Sequence, residues 1–212
     1  MPKRVDGSSP SPSQAILDSA ERLFAARGYS GASIADICAD SHQNVGTVYW
    51  HYKNKGGLFE AVLDRGFSRF LDALPDPSAL SGPPSKRLRK YFETAGKVIE
   101  THPDIFRIRL GLASLHGNNT DGAMASAQKA DDFIFDHVVK VLEPVIEEYD
   151  VVDPDALTRE IANLVMDMTS GILVRANWDR RQIRSGIQRI IRTVELSIAG
   201  ARAEVPAAIS HL

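Results

Sequence analysis

The sequence predicts an all-α fold, with a group of three short helices at the N-terminus and a longer helical body after it. Three observations carry this. From Gln14 onward, apolar residues recur at i, i+3, i+4 and i+7, the spacing of one helix face. No stretch keeps up a two-residue alternation, so strands are not expected. Proline and glycine clusters cut the chain into segments of helix length.

Each element follows in order. Met1–Ser13 is rich in Ser and Pro and reads as a disordered tail. Ile16, Leu17, Ala20, Leu23 and Phe24 make the stripe of a first helix. Ser13 is its expected cap, and Gly28 ends it with Tyr29 tucked back toward the core. Ser33 starts a short second helix, Asp36 completes a capping box, and Ile34, Ile37 and Cys38 face inward. A third helix is expected from Asn44 to about Tyr52. Asn54 caps a fourth, which points Leu58, Phe59, Val62, Leu63 and Phe67 inward. Leu74–Pro84 holds four prolines and Gly82 and must be a loop. Helices then follow near residues 85–101, 104–116, 120–149, 154–178 and 180–200, and Pro144 is expected to kink or break its own. The resulting division is 1–13 tail, 14–60 N-terminal domain and 61–212 helical body.

Bulk properties exclude several classes. At 212 residues the chain can bury one large core or two small ones. No apolar run approaches the roughly 18 residues of a membrane span, and Met1–Ser13 lacks the apolar stretch of a secretory leader. The single cysteine, Cys38, permits no internal disulfide and reads as a small core residue, so a cytoplasmic location is expected. No glycine-rich phosphate loop or internal repeat is present, and no cofactor or metal is expected. A net charge of −2 argues against a nonspecific nucleic-acid coat, but its distribution is uneven. Residues 41–59 hold Lys53 and Lys55 and no acid, residues 121–160 are acid-rich, and residues 180–193 hold five arginines and no acid. The last two read first as solvated helix faces. A neutral-to-basic end on an acidic body suits a protein that presents that end to a polyanion.

The third helix is the most informative segment. With about 100° per residue, Val45, Val48, Tyr49 and Tyr52 gather on one side of it, and Gly46, Thr47, Trp50 and His51 on the other. The first side can pack on helices one and two. The second is free to enter a major groove, which admits an α-helix. Gly46 lets a backbone approach closely, Thr47 offers a hydroxyl and a methyl, and Trp50 and His51 can reach sugar–phosphate or base edges. Tyr49 lies at the boundary, half-buried with its hydroxyl free for a phosphate. Lys55, in the first turn of the next helix, adds a cation to free backbone N–H groups and forms a phosphate clamp. The bland reading makes Tyr49 and Trp50 ordinary core aromatics. A second helix at 34–40 and a third from 44 have the spacing of a helix-turn-helix, which favours the sharper reading.

Residues 14–63 resemble the N-terminal domain of the tetracycline-repressor (TetR) family of bacterial transcriptional regulators. The resemblance is carried by Ile16-Leu-Asp-Ser-Ala-Glu-Arg-Leu-Phe-Ala-Ala-Arg-Gly-Tyr29, by Ser33-Ile-Ala-Asp-Ile-Cys38, and by Gly46-Thr-Val-Tyr-Trp-His-Tyr-Lys-Asn-Lys-Gly-Gly-Leu-Phe59. It implies an all-α homodimer with an N-terminal helix-turn-helix DNA-binding domain and a C-terminal ligand-binding and dimerisation domain. Such a protein represses transcription from a palindromic operator in double-stranded DNA until a small-molecule effector releases it. By position, Thr47, Tyr49, Trp50, His51 and Lys55 are the implied DNA contacts, with Gly46 beside them. Asn44 caps the recognition helix and touches phosphate. The chain departs from the family at Ser41-His42-Gln43, where Ala-Gly-Val is usual. His42 replaces a glycine at a tight turn, and Gln43 replaces an apolar anchor and adds a polar side chain to the DNA-facing surface. Val45 stands where a polar residue is common.

In the body, Ile183, Ile187, Ile190, Ile191, Val194 and Ile198 form one stripe, and Leu157, Ile161, Leu164, Val165, Met168 and Ile172 another. Both are wide for helices that must also show a wet face. Doubled by a two-fold axis, the last two helices would make a four-helix bundle, and an isologous dimer suits a palindrome. Packing within one chain is the alternative. Effector-lining candidates among the middle helices are Phe67, Phe70, Phe92, Phe106, Leu110, Met124, Phe133, His137, Met166 and Trp178, with His116 as a further polar group. Each competes with a plain core or surface role.

Two other functions compete with a regulator. An all-α enzyme would need a nucleophile–base or metal constellation, and the six histidines show neither an i,i+4 pair nor an HExxH motif. The other is a small-molecule or lipid binding protein with no DNA role, and a steep salt dependence of specific DNA binding would discriminate against both.

Overall fold

Ser11, two residues ahead of the expected Ser13, starts the first helix. Its hydroxyl accepts the N–H of Gln14 at 3.3 Å, and the Gln14 carboxamide accepts the N–H of Ser11 at 3.1 Å. Pro12 at the first helical position suits this start, because its missing N–H would be unpaired there anyway. A glutamine three residues on completes the reciprocal cap, and Ser13 has no such partner. The computed structural model describes residues 10–112 and 121–203. The expected tail therefore lies outside the described residues up to residue 9, and His116 lies outside them as well.

The described elements are α1 (Pro12–Gly31), α2 (Ile34–Ser41), α3 (Val45–Tyr52), α4 (Lys55–Asp72), a single 3-10 turn (Pro77–Ala79), α5 (Pro84–Thr101), α6 (Pro103–Leu112), α7 (Asp121–Ile146), α8 (Pro154–Ala176) and α9 (Arg180–Ala203). No strand occurs among the described residues. None of their helices is long and apolar enough to cross a membrane. Within α1, Gly28 takes φ 70° and ψ 171°, which breaks the helix where the sequence places its end. Pro144 does not interrupt α7 as expected. It sits in the last turn, and the helix closes at Ile146. The one backbone bond it removes is lost where the helix is already terminating.

The chain forms two compact units. One runs to Phe67 and includes Asp104–Gln128; the other holds Ser68–Pro103 and the chain from Lys129 onward. The expected cut after residue 60 falls inside α4, and α6 groups with the N-terminal helices. The reason is local. Gly66 presents bare backbone to Ile105, and a Cβ there would run into that side chain.

In the first unit, α1, α2 and α3 pack on one another. Ile16, Ala20, Phe24, Ile37, Val48, Leu58, Phe59, Val62 and Leu63 are its buried core. Phe59 meets the edges of Phe24 and Tyr29 at 4.9 Å each. Arg65 ties α4 to α1 through Asp18 at 2.7 Å and Glu21 at 2.5 Å. In the second unit, α9 packs on α5 and α8. Its stripe of Ile183, Ile187, Ile190, Ile191, Val194 and Ile198 is buried inside the chain. α5 and α8 both pack against α9 and cover this stripe within the chain. Arg184 on α9 forks onto Glu100 of α5 at 2.8 and 3.3 Å.

Candidate nucleic-acid interface

The α2–α3 turn begins at His42, which holds φ 54° and ψ 33° and ends α2 in the left-handed region. Histidine thus adopts the backbone that favours glycine, and the turn keeps its shape. Gln43 donates its N–H to the Cys38 carbonyl at 3.1 Å. Ser41 is buried, with its hydroxyl donating to the Ile37 carbonyl at 2.6 Å. Asn44 then caps α3: its carboxamide oxygen accepts the Thr47 N–H at 2.8 Å and the Thr47 hydroxyl at 3.1 Å.

α3 has only two turns, so a single residue anchors it. Val48 is fully buried, whereas Tyr49 is 48% and Trp50 79% exposed. Gly46 and His51 are exposed, and Thr47 and Gln43 are half-buried. Val45, expected on the packing side, is 46% exposed. The buried strip is narrow and centred on Val48, with Tyr52 about 40° away and Val45 about 60° away at its edge. Tyr52 adds a tether that helix-wheel spacing does not reveal: its hydroxyl donates to the Ser13 carbonyl at 2.9 Å. Trp50 and His51 meet edge to face at 4.5 Å on the open side.

Asn54 caps α4 by accepting the Gly57 N–H at 2.8 Å. Lys55 begins that helix half-buried, with its ammonium 4.4 Å from the centre of the Tyr29 ring. Burial lowers its pKa, a cost that the ring's negative face partly offsets. Lys53, at φ 64°, stays exposed beside it. The result is one surface bearing an exposed tryptophan, tyrosine, histidine and lysine, with the Gly46 backbone open among them. No acid interrupts residues 41–59. It can offer hydrogen bonds, stacking area and positive charge to a polyanion.

The effector candidates divide differently. Phe67, Phe106, Leu110 and Met124 belong to the first unit, and Phe70, Phe92, Phe133, His137, Met166 and Trp178 to the second. Phe67, Phe70, Phe92 and Phe106 are buried core, with Phe67 and Phe106 edge to face at 6.3 Å. Leu110, Met166 and Trp178 are half-buried. Met124 is exposed and Phe133 is 60% exposed, so their side chains point away from the interior. His137 is the distinctive one. Its Nε2 is buried without a hydrogen-bond partner, 5.9 Å between ring centres from the buried Tyr91. Hollows of about 430, 250 and 240 Å³ among the described residues are lined by other residues than these candidates.

The geometry defines a helix-turn-helix protein. Residues 16–62 match the family model described as bacterial regulatory proteins, tetR family. The transcriptional regulator AcrR of Shigella flexneri is 29% identical over 171 residues, covering 78% of this chain and 77% of its own. The transcriptional repressor ComR of Escherichia coli (strain K12) is 45% identical over 56 residues, 26% of this chain and 27% of its own. A TetR-like transcriptional regulator from Rhodococcus sp. RHA1 superposes with a TM-score of 0.70 at 18% identity, covering 94% of this chain and 99% of that one. Residues 16–62 thus match the N-terminal domain of the tetR family, and the chain is similar over most of its length to transcriptional regulators of that kind.

Proposed function

We propose that the chain is a dimeric, ligand-responsive repressor that places α3 in the major groove of a palindromic operator. The observation that supports this most is the division of α3. Val48, the Asn44 cap and the Tyr52 tether hold the helix, while Gly46, Tyr49, Trp50 and His51 are left to solvent. An ordinary core helix would bury its large aromatics. Thr47, Tyr49, Trp50 and His51 contact the DNA. Gln43 and Asn44 border it, and Lys55 moves off Tyr29 onto a phosphate. Two copies present their recognition helices about 34–36 Å apart, one turn of duplex. Effector binding favours a dimer with a different spacing, and release is the resulting shift in population. The effector site belongs to the helical body, where His137, beside Tyr91, supplies a hydrogen-bonding group that the protein itself leaves unused. The chain acts by binding rather than by catalysis, in the cytoplasm.

The test is fluorescence anisotropy with DNA from upstream of the chain's own gene. Wild type binds with a steep inverse dependence on salt, reflecting counterions released from several phosphates. Tyr49→Ala combined with Lys55→Ala lowers affinity at least tenfold with unchanged helicity. Equal affinity for that variant, or binding indifferent to salt, would remove the assignment and favour a carrier without a DNA role.

A further inference from the structure

We propose that Val45 reads thymine: its side-chain methyls pack on the thymine 5-methyl group at one base pair in each half of the operator. This rests on the reading of α3 as the helix that enters the groove, and it gives that helix a base preference. Val45, Gly46 and Thr47 form the first turn of α3, the part of a recognition helix that lies nearest the base edges. Val45 leaves its expected place against the core and is 46% exposed. Tyr49 is exposed as well and follows one turn on, about 40° around the helix. The two side chains share one outward strip.

A single exposed valine needs no explanation by itself. The polar groups around this one give it a role. The Asn44 carboxamide oxygen accepts both the N–H and the hydroxyl of Thr47, at 2.8 and 3.1 Å. The Thr47 hydroxyl proton is thus used inside the chain and is not offered to a base. Gly46 has no side chain, and a Cβ there would stand 3.1 Å from that same oxygen, so the cap keeps the position bare. The first turn therefore presents the two methyls of Val45, with open backbone beside them that allows a close approach. Thymine is the one base with an apolar group on its major-groove edge, the 5-methyl. Cytosine in its place presents an amino group, which would lose water against Val45 and gain no partner. Burying one methyl-sized group is worth roughly fourfold in affinity. A two-fold operator repeats the contact in each half, so the preference is felt twice.

A change made on the DNA tests this without disturbing the fold. Duplexes are selected from a random-sequence library with the full wild-type chain. Each thymine of a selected duplex is then replaced by uracil, which removes the methyl and keeps the pairing. Fluorescence anisotropy at one salt concentration reads the affinities. At one thymine position in each half-site, uracil weakens wild type about fourfold, and replacing both weakens it more than about tenfold. Val45→Ala, with unchanged helicity, binds the thymine duplex more weakly by a similar factor and no longer distinguishes uracil at those positions. Val45→Thr, which keeps the shape but exchanges one methyl for a hydroxyl, moves the same way. Wild type indifferent to uracil throughout, or Val45→Ala as sensitive as wild type at every position, overturns the role of Val45 alone. A wild-type chain that enriches no duplex overturns the reading of α3 and this one with it.

Discussion

The Tyr52 hydroxyl donates to the Ser13 carbonyl at 2.9 Å, joining the end of the recognition helix to the start of α1 across 39 positions of sequence. Burial raises the pKa of this phenol, so it remains a donor throughout the working pH range. Tyr52→Phe removes the bond with little change of shape, and the expected cost is about 1 kcal/mol, read as a lower urea midpoint. DNA affinity falls with it, because α3 loses one of its few anchors. Tyr49→Phe, at an exposed phenol, leaves the urea midpoint unchanged.

Asn44 separates capping from DNA contact. Asn44→Ala leaves the Thr47 N–H without its acceptor and costs about 1 kcal/mol of stability. Asn44→Asp keeps an acceptor at the same place and adds a negative charge at the rim of the interface. Thermal unfolding of Asn44→Asp therefore matches or exceeds wild type, while its DNA affinity drops.

His42 stores backbone strain. A non-glycine residue in the left-handed region costs roughly 1–2 kcal/mol, partly offset by the extra unfolded-state freedom that a glycine brings. His42→Gly is expected to stabilise the chain by about 0.5 kcal/mol, and His42→Val to destabilise it by more than 1 kcal/mol, since β-branching makes that region worse. Chemical denaturation of the three chains checks the order. A His42→Gly chain less stable than wild type would show that the imidazole makes a contact worth more than the strain.

Gly66→Ala tests the seat of α6 on α4. The new Cβ meets the Ile105 side chain closer than carbon atoms tolerate. The expected loss is about 1–3 kcal/mol, and Gly66→Ala combined with Ile105→Ala recovers part of it by clearing the space. A double-mutant cycle on melting temperatures measures that coupling.

His137 makes the helical body sensitive to acid. Burial, then nearby Lys140, lowers its pKa below the ordinary 6.5, and Asp76 opposes them. The folded state therefore prefers neutral imidazole, while the unfolded chain takes up a proton near 6.5. The unfolded state binds more protons in that window, so stability rises with pH there. The contribution is complete above 6.5 and is lost as pH falls through the folded value. Urea midpoints at pH 7.5 and 5.5 should differ more for wild type than for His137→Gln.

Much of the DNA-binding domain is legible in the sequence because its determinants are local. The Ser33–Asp36 box, the Asn44 and Asn54 caps and the Gly28 break each act within about one helical turn, and each stands where residue chemistry places it. Val45 was not legible in the same way. A helix wheel ranks directions, but a two-turn helix touching its neighbours through one valine has room for only one buried position. The Tyr52–Ser13 and Arg65–Asp18 bonds join residues 39 and 47 apart and leave no periodic trace. In the body, periodicity finds the helices but not which side of each is covered by its neighbours. The apolar stripes of α9 and α8 look alike in sequence, yet Ile183 and Ile190 are buried while Leu164, Met168 and Ile172 are half-buried.

The two tryptophans of the chain sit in opposite surroundings, Trp50 at 79% exposure on the recognition helix and Trp178 half-buried at the turn between α8 and α9. The molecule therefore contains its own pair of optical reporters. Trp50 is open to water and to quenching by iodide, and protection from iodide on adding duplex DNA is the expected outcome if α3 is the contact. Trp178 emits to the blue of it, from the other unit. A Trp50→Phe chain leaves a signal blind to direct DNA contact, and Trp178→Phe leaves one that watches the groove alone. The two units can then be followed separately, without attaching any label.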